Sequence, residues 1–102
     1  MRTWLASYQQ PIEALCRRFH VRRLEVFGSA VRDDFDPSRS DVDFLVEFDT
    51  TPGVNVFEAY FDLRRALSEL LNRPVDLVMV SALRNPYVRA RIDAERELVY
   101  AA

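Results

Sequence analysis

Residues 41–48 read Asp-Val-Asp-Phe-Leu-Val-Glu-Phe, and this stretch decides the fold. Side chains along a β-strand alternate between its two faces, so one face carries four apolar residues: Val42, Phe44, Val46 and Phe48. The opposite face carries Asp41, Asp43, Leu45 and Glu47. The alternation therefore predicts a strand with one face in the core and the other half polar.

The stretches on either side predict the remaining elements. Alternating residues over 22–27 indicate a strand that runs into Gly28-Ser29, followed by a short helical turn and a loop. Apolar residues in steps of three and four predict a long helix over 56–71, which Pro74 ends, and 75–80 reads as a third strand. Further helices are expected over 11–20 and from Asn85 into the late nineties.

This order predicts one α/β domain over residues 1–102. Its helices would pack on a short mixed sheet of about three strands flanked by about four helices. The sequence contains no internal repeat and no low-complexity linker that would divide it.

Composition excludes several kinds of site. All 14 basic residues are arginine, so neither a Schiff-base lysine nor the lysine of a P-loop is available. Two glycines are too few for a dinucleotide-binding GxGxxG motif. Cys16 and His20 are the only cysteine and histidine, which leaves no intrachain disulfide and too few soft ligands for structural zinc.

Charge and hydropathy indicate whether the protein binds nucleic acid and whether it enters a membrane. Fourteen basic and 16 acidic residues give a formal net charge of −2, so direct binding of nucleic acid through its phosphates is not expected. No apolar run approaches the roughly 20 residues that span a bilayer, and the N-terminus lacks the pattern of a signal peptide. We expect a cytoplasmic protein that does not enter a membrane.

Asp41 and Asp43 lie two residues apart on the predicted strand, so their carboxylates leave the same face and can converge. Two carboxylates about 4 Å apart repel by roughly 4 kcal/mol at an effective dielectric of 20, a cost that a bound divalent cation reverses. Oxygen ligands favour Mg²⁺ or Mn²⁺. The alternative is a pair of solvated residues at the start of a strand, where aspartate is common.

Two further features could complete a site. Asp76 interrupts an apolar strand where its β-propensity is poor, which favours a third functional carboxylate over a turn contact after Pro74. Gly28-Ser29 closes the first strand at a turn whose N–H groups and hydroxyl can hold a phosphate. On its own, this dipeptide is more typical of an ordinary turn.

Three segments together resemble the polymerase-β-like nucleotidyltransferase superfamily, and more narrowly its minimal nucleotidyltransferase branch. They are residues 26–32 (VFGSAVR), 40–46 (SDVDFLV) and 74–78 (PVDLV). Asn85-Pro86-Tyr87 is similar to the tail of that branch. The resemblance implies a small nucleotidyltransferase fold.

The resemblance also implies an activity and its residues. A nucleoside monophosphate, AMP with ATP as the substrate, would be transferred to a hydroxyl with Mg²⁺ or Mn²⁺ as cofactor. The implied metal-binding and catalytic residues are Asp41, Asp43 and Asp76, the last near the attacking hydroxyl. The implied triphosphate-binding residues are Gly28, Ser29 and Ser40.

A partner is implied as well. Proteins that resemble this chain act as antitoxins beside a HEPN-type ribonuclease toxin, by transferring AMP to a tyrosine of the toxin. The segment between Ser29 and Asp41 is one residue longer than the usual pattern, and it contains Asp33, Asp34 and Asp36. These departures favour the alternative of a degenerate site in a protein that neutralises its partner by binding alone. Transfer to a small molecule would need enclosing walls that a single small domain lacks.

Other residues allow competing interpretations. Cys16 and His20, four apart on the first helix, could pair as nucleophile and base, although a packed thiol is the favoured interpretation. Five aromatic residues belong either to the core or to a docking surface: Trp4, Tyr8, Phe57, Tyr60 and Phe61. An exposed cluster among them would indicate an interaction surface.

Overall fold

The computed structural model describes residues 3–31 and 41–102. The helices within these ranges are α1 (Thr3–Ala6), α2 (Gln9–Arg18), α3 (Val56–Leu71) and α4 (Pro86–Glu95). The strands are β1 (Val21–Phe27), β2 (Val42–Phe48), β3 (Val75–Met79) and β4 (Glu97–Ala101). Two 3₁₀ turns, Gly28–Val31 and Val80–Ala82, follow β1 and β3. Across the described residues, no helix combines the length and the apolar character needed to cross a membrane.

The strands form one mixed sheet in the order β3-β2-β1-β4. β1 is antiparallel to both β2 and β4, whereas β2 and β3 are parallel. A parallel pair needs a long crossover connection, and α3 supplies it. The predicted α/β architecture with a mixed sheet is confirmed.

The fourth strand corrects the predicted count of about three. We expected the last helix to continue into the late nineties, whereas α4 ends at Glu95 and Arg96 adopts extended backbone angles of φ −63° and ψ 140°. Residues 97–101 then pair with β1. They include Leu98, Val99 and Tyr100, and so short an apolar run has no period that separates strand from helix. Pairing with β1 decides that this run forms a strand.

The main core lies between one face of the sheet and the helices α2 and α3. The predicted apolar face of β2 is confirmed, because none of its four residues is more than 4% exposed: Val42, Phe44, Val46 and Phe48. Leu63, Leu67 and Leu71 of α3 belong to the same buried cluster. Burial of this face fixes the register of β2, since a slip by one residue would turn its aspartates into the core.

α3 begins and ends at asparagines. The Asn55 side chain accepts a hydrogen bond from the backbone N–H of Glu58 at 3.2 Å, which caps the first turn. Asn72 takes a left-handed conformation with φ 54° and ends the helix two residues before Pro74. The predicted helix is thus confirmed, but Asn72 stops it, and not Pro74 as the sequence predicted.

α3 also protects an edge of the sheet. β3 is an edge strand, and the carbonyl groups on its outer side have no strand partner. Tyr60 Oη donates a hydrogen bond to the carbonyl oxygen of Leu77 at 2.6 Å, and Arg64 Nε donates to that of Val75 at 3.3 Å. Two side chains of α3 therefore satisfy outward-facing carbonyls of β3.

Tyr60→Phe is expected to lower the free energy of unfolding by about 1 kcal/mol, because the Leu77 carbonyl loses its donor in a part-buried position. Tyr87→Phe is the matched control, since Tyr87 is 86% exposed, and it should leave stability unchanged. Urea unfolding followed by circular dichroism measures both variants. Equal stability of Tyr60→Phe and the unmodified chain would contradict the role given to the Tyr60 hydroxyl.

α4 lies on the other face of the sheet. Its buried residue is Ile92, and Ile92 and Leu45 are both buried outside the main core cluster. Glu25, paired with Leu45 across β1 and β2, is only 5% exposed. Its carboxylate accepts from Arg23 Nε at 2.9 Å and contacts Arg96 Nε at 3.3 Å. Since Arg96 directly follows α4, this ion pair ties the end of the helix to β1.

Glu25→Gln is expected to lower the free energy of unfolding by about 1–2 kcal/mol, because it removes the charge that two guanidinium groups face. The Arg23 and Arg96 side chains are 47% and 39% exposed, so water replaces part of the lost interaction. Asp93→Asn is the control: its side chain is 46% exposed and contacts Arg96 Nη1 at 3.2 Å, so its loss should cost less. Thermal unfolding in which both variants behave alike would contradict the assignment.

Candidate active site

Asp43 on β2 and Asp76 on β3 are paired residues in the parallel register. Paired residues on neighbouring strands stand about 4.8 Å apart and send their side chains to the same face. The Asp43 side chain is half-buried, and that of Asp76 is exposed. The register thus brings together two of the three predicted carboxylates on the face of the sheet opposite the main core.

Asp41 lies directly before β2, and its side chain is exposed. The next residue fixes the chain at this point, because the backbone N–H of Val42 donates to the carbonyl oxygen of Pro74 at 3.1 Å. Val42 also pairs with Val75. Asp41 therefore stands at the same end of the β2–β3 pair as Asp43 and Asp76.

The three carboxylates do not form a ready-made ligand set. In residues 3–31 and 41–102, no three His, Cys, Asp or Glu side chains are grouped so that they could hold a metal ion. The backbone positions of Asp43 and Asp76 are paired, but the three side chains are not gathered around one point, so the convergence expected of the carboxylates of Asp41 and Asp43 stays a prediction. Mutual repulsion of roughly 4 kcal/mol for two charges 4 Å apart at an effective dielectric of 20 opposes such a gathering.

The donor set nevertheless fits a hard divalent cation. Asp43 and Asp76 offer carboxylate oxygens only, and the single thiol of the chain, Cys16, is buried in the main core. Mg²⁺ is usually held by one or two carboxylates together with substrate phosphates, and not by a complete protein cage. A pair of carboxylates fixed by strand register meets that requirement.

Gly28 packs directly against Asp43, one member of this pair. It follows β1, whose last residue, Phe27, pairs with Asp43. Gly28 has φ +73°, and a Cβ added to it would collide with Oδ2 of Asp43 and lie 3.4 Å from its Cγ. The absence of a side chain at Gly28 therefore makes room for the Asp43 carboxylate beside the 3₁₀ turn. The predicted turn after β1 is confirmed, and it adjoins the carboxylates.

Some predicted site residues fall outside the described structure. Ser29 lies in the 3₁₀ turn through its backbone, and its side chain is not described. Ser40 is outside the described residues, as are the three acidic residues of the loop, Asp33, Asp34 and Asp36. Their predicted roles stay predictions.

α4 adds a wall that the sequence interpretation missed. A cleft of about 180 Å³ is lined by Phe27, Gly28, Asp43, Val88, Arg91, Ile92 and Glu95. The last four residues are spaced three, one and three apart, which places them on one side of a helix. That spacing is visible in the sequence, but no sequence pattern predicts that this side of α4 faces the Gly28 turn.

Comparison with known proteins decides the family. Residues 9–100 match the family model described as Nucleotidyltransferase domain. The chain belongs to the nucleotidyltransferase domain family. Protein adenylyltransferase MntA of Thermococcus cleftensis is 41% identical over 86 residues, which cover 84% of this chain and 80% of that protein. A Methanocaldococcus jannaschii protein with the provisional name of protein adenylyltransferase is 38% identical over 86 residues, which cover 84% of this chain and 82% of that one.

Solved structures place this nucleotidyltransferase in the minimal branch. One, provisionally described as a minimal nucleotidyltransferase, matches with a TM-score of 0.74 at 31% identity, over 91% of this chain and 90% of that chain. A chain from a toxin–antitoxin crystal structure with AMP-PNP matches with a TM-score of 0.66 at 20% identity, over 92% of this chain and 73% of that chain. The second match shows a shared fold. The resemblance stated from the three segments is confirmed.

The nucleotidyltransferase does not use Cys16 as a nucleophile. Burial, with a further contribution from the charge of Glu13, raises the pKa of the Cys16 thiol to about 12. The thiol is therefore protonated at neutral pH and unreactive. His20 is exposed, just beyond the end of α2. The interpretation of Cys16 as a packed thiol is confirmed.

Two aromatic residues of α3 are exposed. Phe57 is 73% exposed and Phe61 is 44% exposed, and their ring centroids lie 4.9 Å apart. With Val56, Tyr60 and Met79 they line an apolar cleft of about 400 Å³. Trp4, Tyr8 and Tyr60 pack against the core instead. The exposed aromatic pair that would indicate an interaction surface is thus present.

A larger groove of the nucleotidyltransferase is not its predicted active site. A groove of about 770 Å³ runs beside the second half of α3 and the start of β3, where Arg64, Arg65 and Arg73 are among its lining residues. None of the three aspartates lines it. Carboxylate register, and not cavity size, therefore marks the candidate active site.

Proposed function

We propose that this chain is a metal-dependent nucleotidyltransferase that transfers AMP from ATP to a hydroxyl of a HEPN-type toxin, and so acts as the antitoxin. The observation that carries the proposal is the register pair of Asp43 with Asp76, together with the packing of Asp43 against Gly28. The names of the relatives, protein adenylyltransferases, support AMP as the transferred group. A structural neighbour described as a tri-AMPylated HEPN toxin of Shewanella oneidensis with its MNT antitoxin supports the class of partner.

In this proposal the carboxylates position the reactants. Asp41, Asp43 and Asp76 would hold Mg²⁺ or Mn²⁺, which supplies stabilisation of the charge that develops on the phosphate oxygens. Backbone N–H groups of the turn that starts at Gly28 bind the triphosphate, with the hydroxyls of Ser29 and Ser40. Asp76 accepts the proton of the attacking hydroxyl. The acceptor oxygen bonds to the α-phosphorus, the bond from that phosphorus to the bridging oxygen of the β-phosphate breaks, and pyrophosphate leaves.

The size of the cleft favours a macromolecular acceptor. Its volume of about 180 Å³ is below the roughly 300–1,000 Å³ of pockets that enclose one small ligand, so beside part of the nucleotide it leaves no enclosed space for a second small molecule. A tyrosine on a folded protein avoids this problem, because the protein surface around the tyrosine encloses the site from outside. Transfer to a small molecule is the weaker alternative for this reason.

The test combines this chain with a purified HEPN-type toxin, ATP and Mg²⁺. We expect the partner to gain the mass of one or more AMP groups in intact-mass spectrometry, at a tyrosine identified by peptide mapping. Removal of the divalent cation with EDTA should abolish the gain, and added Mn²⁺ should restore it. A partner that stays unmodified, yet is neutralised equally well by the Asp43→Asn variant, would overturn the transferase proposal.

A second candidate function is neutralisation by binding alone, with a degenerate site. The exposed pair Phe57 and Phe61 beside an apolar cleft favours it, because such a patch can bind a partner without any chemistry. Calorimetric titration with ATP and Mg²⁺ separates the two functions. A degenerate site should give no metal-dependent heat, whereas the transferase site should give heat that EDTA removes.

A further inference from the structure

The cleft beside Gly28 and Asp43 has one wall made by α4. Ile92 is 5% exposed and anchors the helix on the sheet, while Val88, Arg91 and Glu95 line the cleft from the same side of the helix. The position of α4 is fixed further by the ion pair of Arg96 with Glu25 at 3.3 Å. A side chain on this wall is therefore held next to the turn that the proposed function assigns to the triphosphate.

Charge singles out Arg91 on this wall. Of the described residues that line the cleft, Arg91 is the one that carries a positive charge, and it shares the cleft with the acidic residues Asp43 and Glu95. Arg91 forms neither a hydrogen bond nor an ion pair with any described part of the chain. Arg96, at the end of the same helix, is by contrast engaged by both Glu25 and Asp93. Within residues 3–31 and 41–102, no hydrogen bond or ion pair accounts for a cation at position 91.

A nucleotide site with several carboxylates needs a positive charge of its own. A triphosphate brought near Asp43 and Glu95 is repelled unless cations offset their charges. A guanidinium group binds phosphate oxygens with two parallel N–H donors, which gives both charge and orientation. Arg91 is placed to do this at the mouth of the cleft.

We propose that Arg91 binds a phosphate group of the bound nucleoside triphosphate, so that α4 forms one wall of the nucleotide site. This inference rests on the proposed transferase function and assigns a residue to it that the sequence motifs did not include. Arg91 binds the phosphate groups of a nucleoside triphosphate, or free pyrophosphate. It does not bind the nucleoside part of the nucleotide.

Calorimetric titration with AMP-PNP and Mg²⁺ tests the proposal. Arg91→Gln is expected to weaken AMP-PNP binding by about tenfold or more, and Arg91→Lys by less, because lysine keeps the charge and loses the paired donors. Arg89→Gln is the matched control, since Arg89 is an exposed arginine of α4 that does not line the cleft, and it should bind as the unmodified chain does. Adenosine, which has no phosphate, should bind the unmodified chain and Arg91→Gln equally.

Each outcome separates this inference from the proposed function. If the unmodified chain binds AMP-PNP and Arg91→Gln binds it with the same affinity, the role of Arg91 is overturned while the transferase proposal stands. If the unmodified chain binds no AMP-PNP, both fail. Thermal unfolding of Arg91→Gln should match that of Arg89→Gln, and a selective loss of stability would instead assign Arg91 to the fold.

Discussion

Asp43→Asn is expected to lower the rate of AMP transfer by about a thousandfold, the upper range for removal of one group that stabilises developing charge. The asparagine keeps the shape of the side chain but removes the charge that would bind the cation. Asp43 pairs with Asp76 on the neighbouring strand, so the substitution also lowers the negative charge at this edge of the sheet. Activity should therefore be lost with little change in stability. Single-turnover transfer to the partner and urea unfolding measure the two quantities.

Glu47→Gln is the matched control for this prediction. Glu47 lies on β2, on the same face as Asp43, and its carboxylate contacts Arg22 Nε at 3.8 Å with both side chains largely exposed. An exposed pair of this kind contributes little to stability, so neither the rate nor the fold should change measurably. If Asp43→Asn retained most of the activity, or Glu47→Gln lost as much, the carboxylate on β2 would not be the metal-binding group.

Gly28→Ala is expected to abolish transfer and to lower the free energy of unfolding by roughly 2 kcal/mol or more, for two separate reasons. A left-handed backbone costs alanine about 1–2 kcal/mol, and Gly28 has φ +73°. The added Cβ also collides with Oδ2 of Asp43, so the carboxylate must leave its position beside the turn. Activity should fall even under conditions where the variant is fully folded.

Gly53→Ala separates the effect of backbone strain from the effect of the collision with Asp43. Gly53 also has positive φ, +96°, but nothing lies within 4 Å of a Cβ built there. This variant should lose stability through backbone strain alone and keep its activity. Transfer rates and urea unfolding of both glycine variants, measured together, decide the matter. Activity losses of equal size in the two variants would show that Gly28 acts through general destabilisation and not through Asp43.

Much of the fold was predictable because its patterns are local. β2 alternates apolar and polar residues, and a single buried face fixes which residues point inward. α3 has a sustained period of three and four residues, and the predicted helix is present, although it ends at Leu71 and not at Pro74. The Gly28 turn was also predictable from the end of the β1 alternation. These signals lie within one element each and do not depend on a distant partner.

Other features depend on contacts that no local pattern records. β4 forms because residues 97–101 pair with β1. Without that pairing, the same apolar run could equally extend a helix. Asp76 was singled out by its poor β-propensity, but its pairing with Asp43 required the parallel register of β2 and β3. Arg91 carried no motif at all, because only the packing of α4 beside Gly28 gives it a place at the site.

The central claim is that the carboxylates of Asp43 and Asp76 hold a divalent cation together with the nucleotide. Its most direct test is Mn²⁺ binding in the presence of AMP-PNP, followed by electron paramagnetic resonance, in the unmodified chain, Asp43→Asn and Asp76→Asn. The control is Asp62→Asn, because Asp62 is an exposed aspartate of α3. We predict that nucleotide-dependent Mn²⁺ binding is present in the unmodified chain and in Asp62→Asn and is lost in both other variants. Equal Mn²⁺ binding by all four proteins, or none by the unmodified chain, would contradict the account.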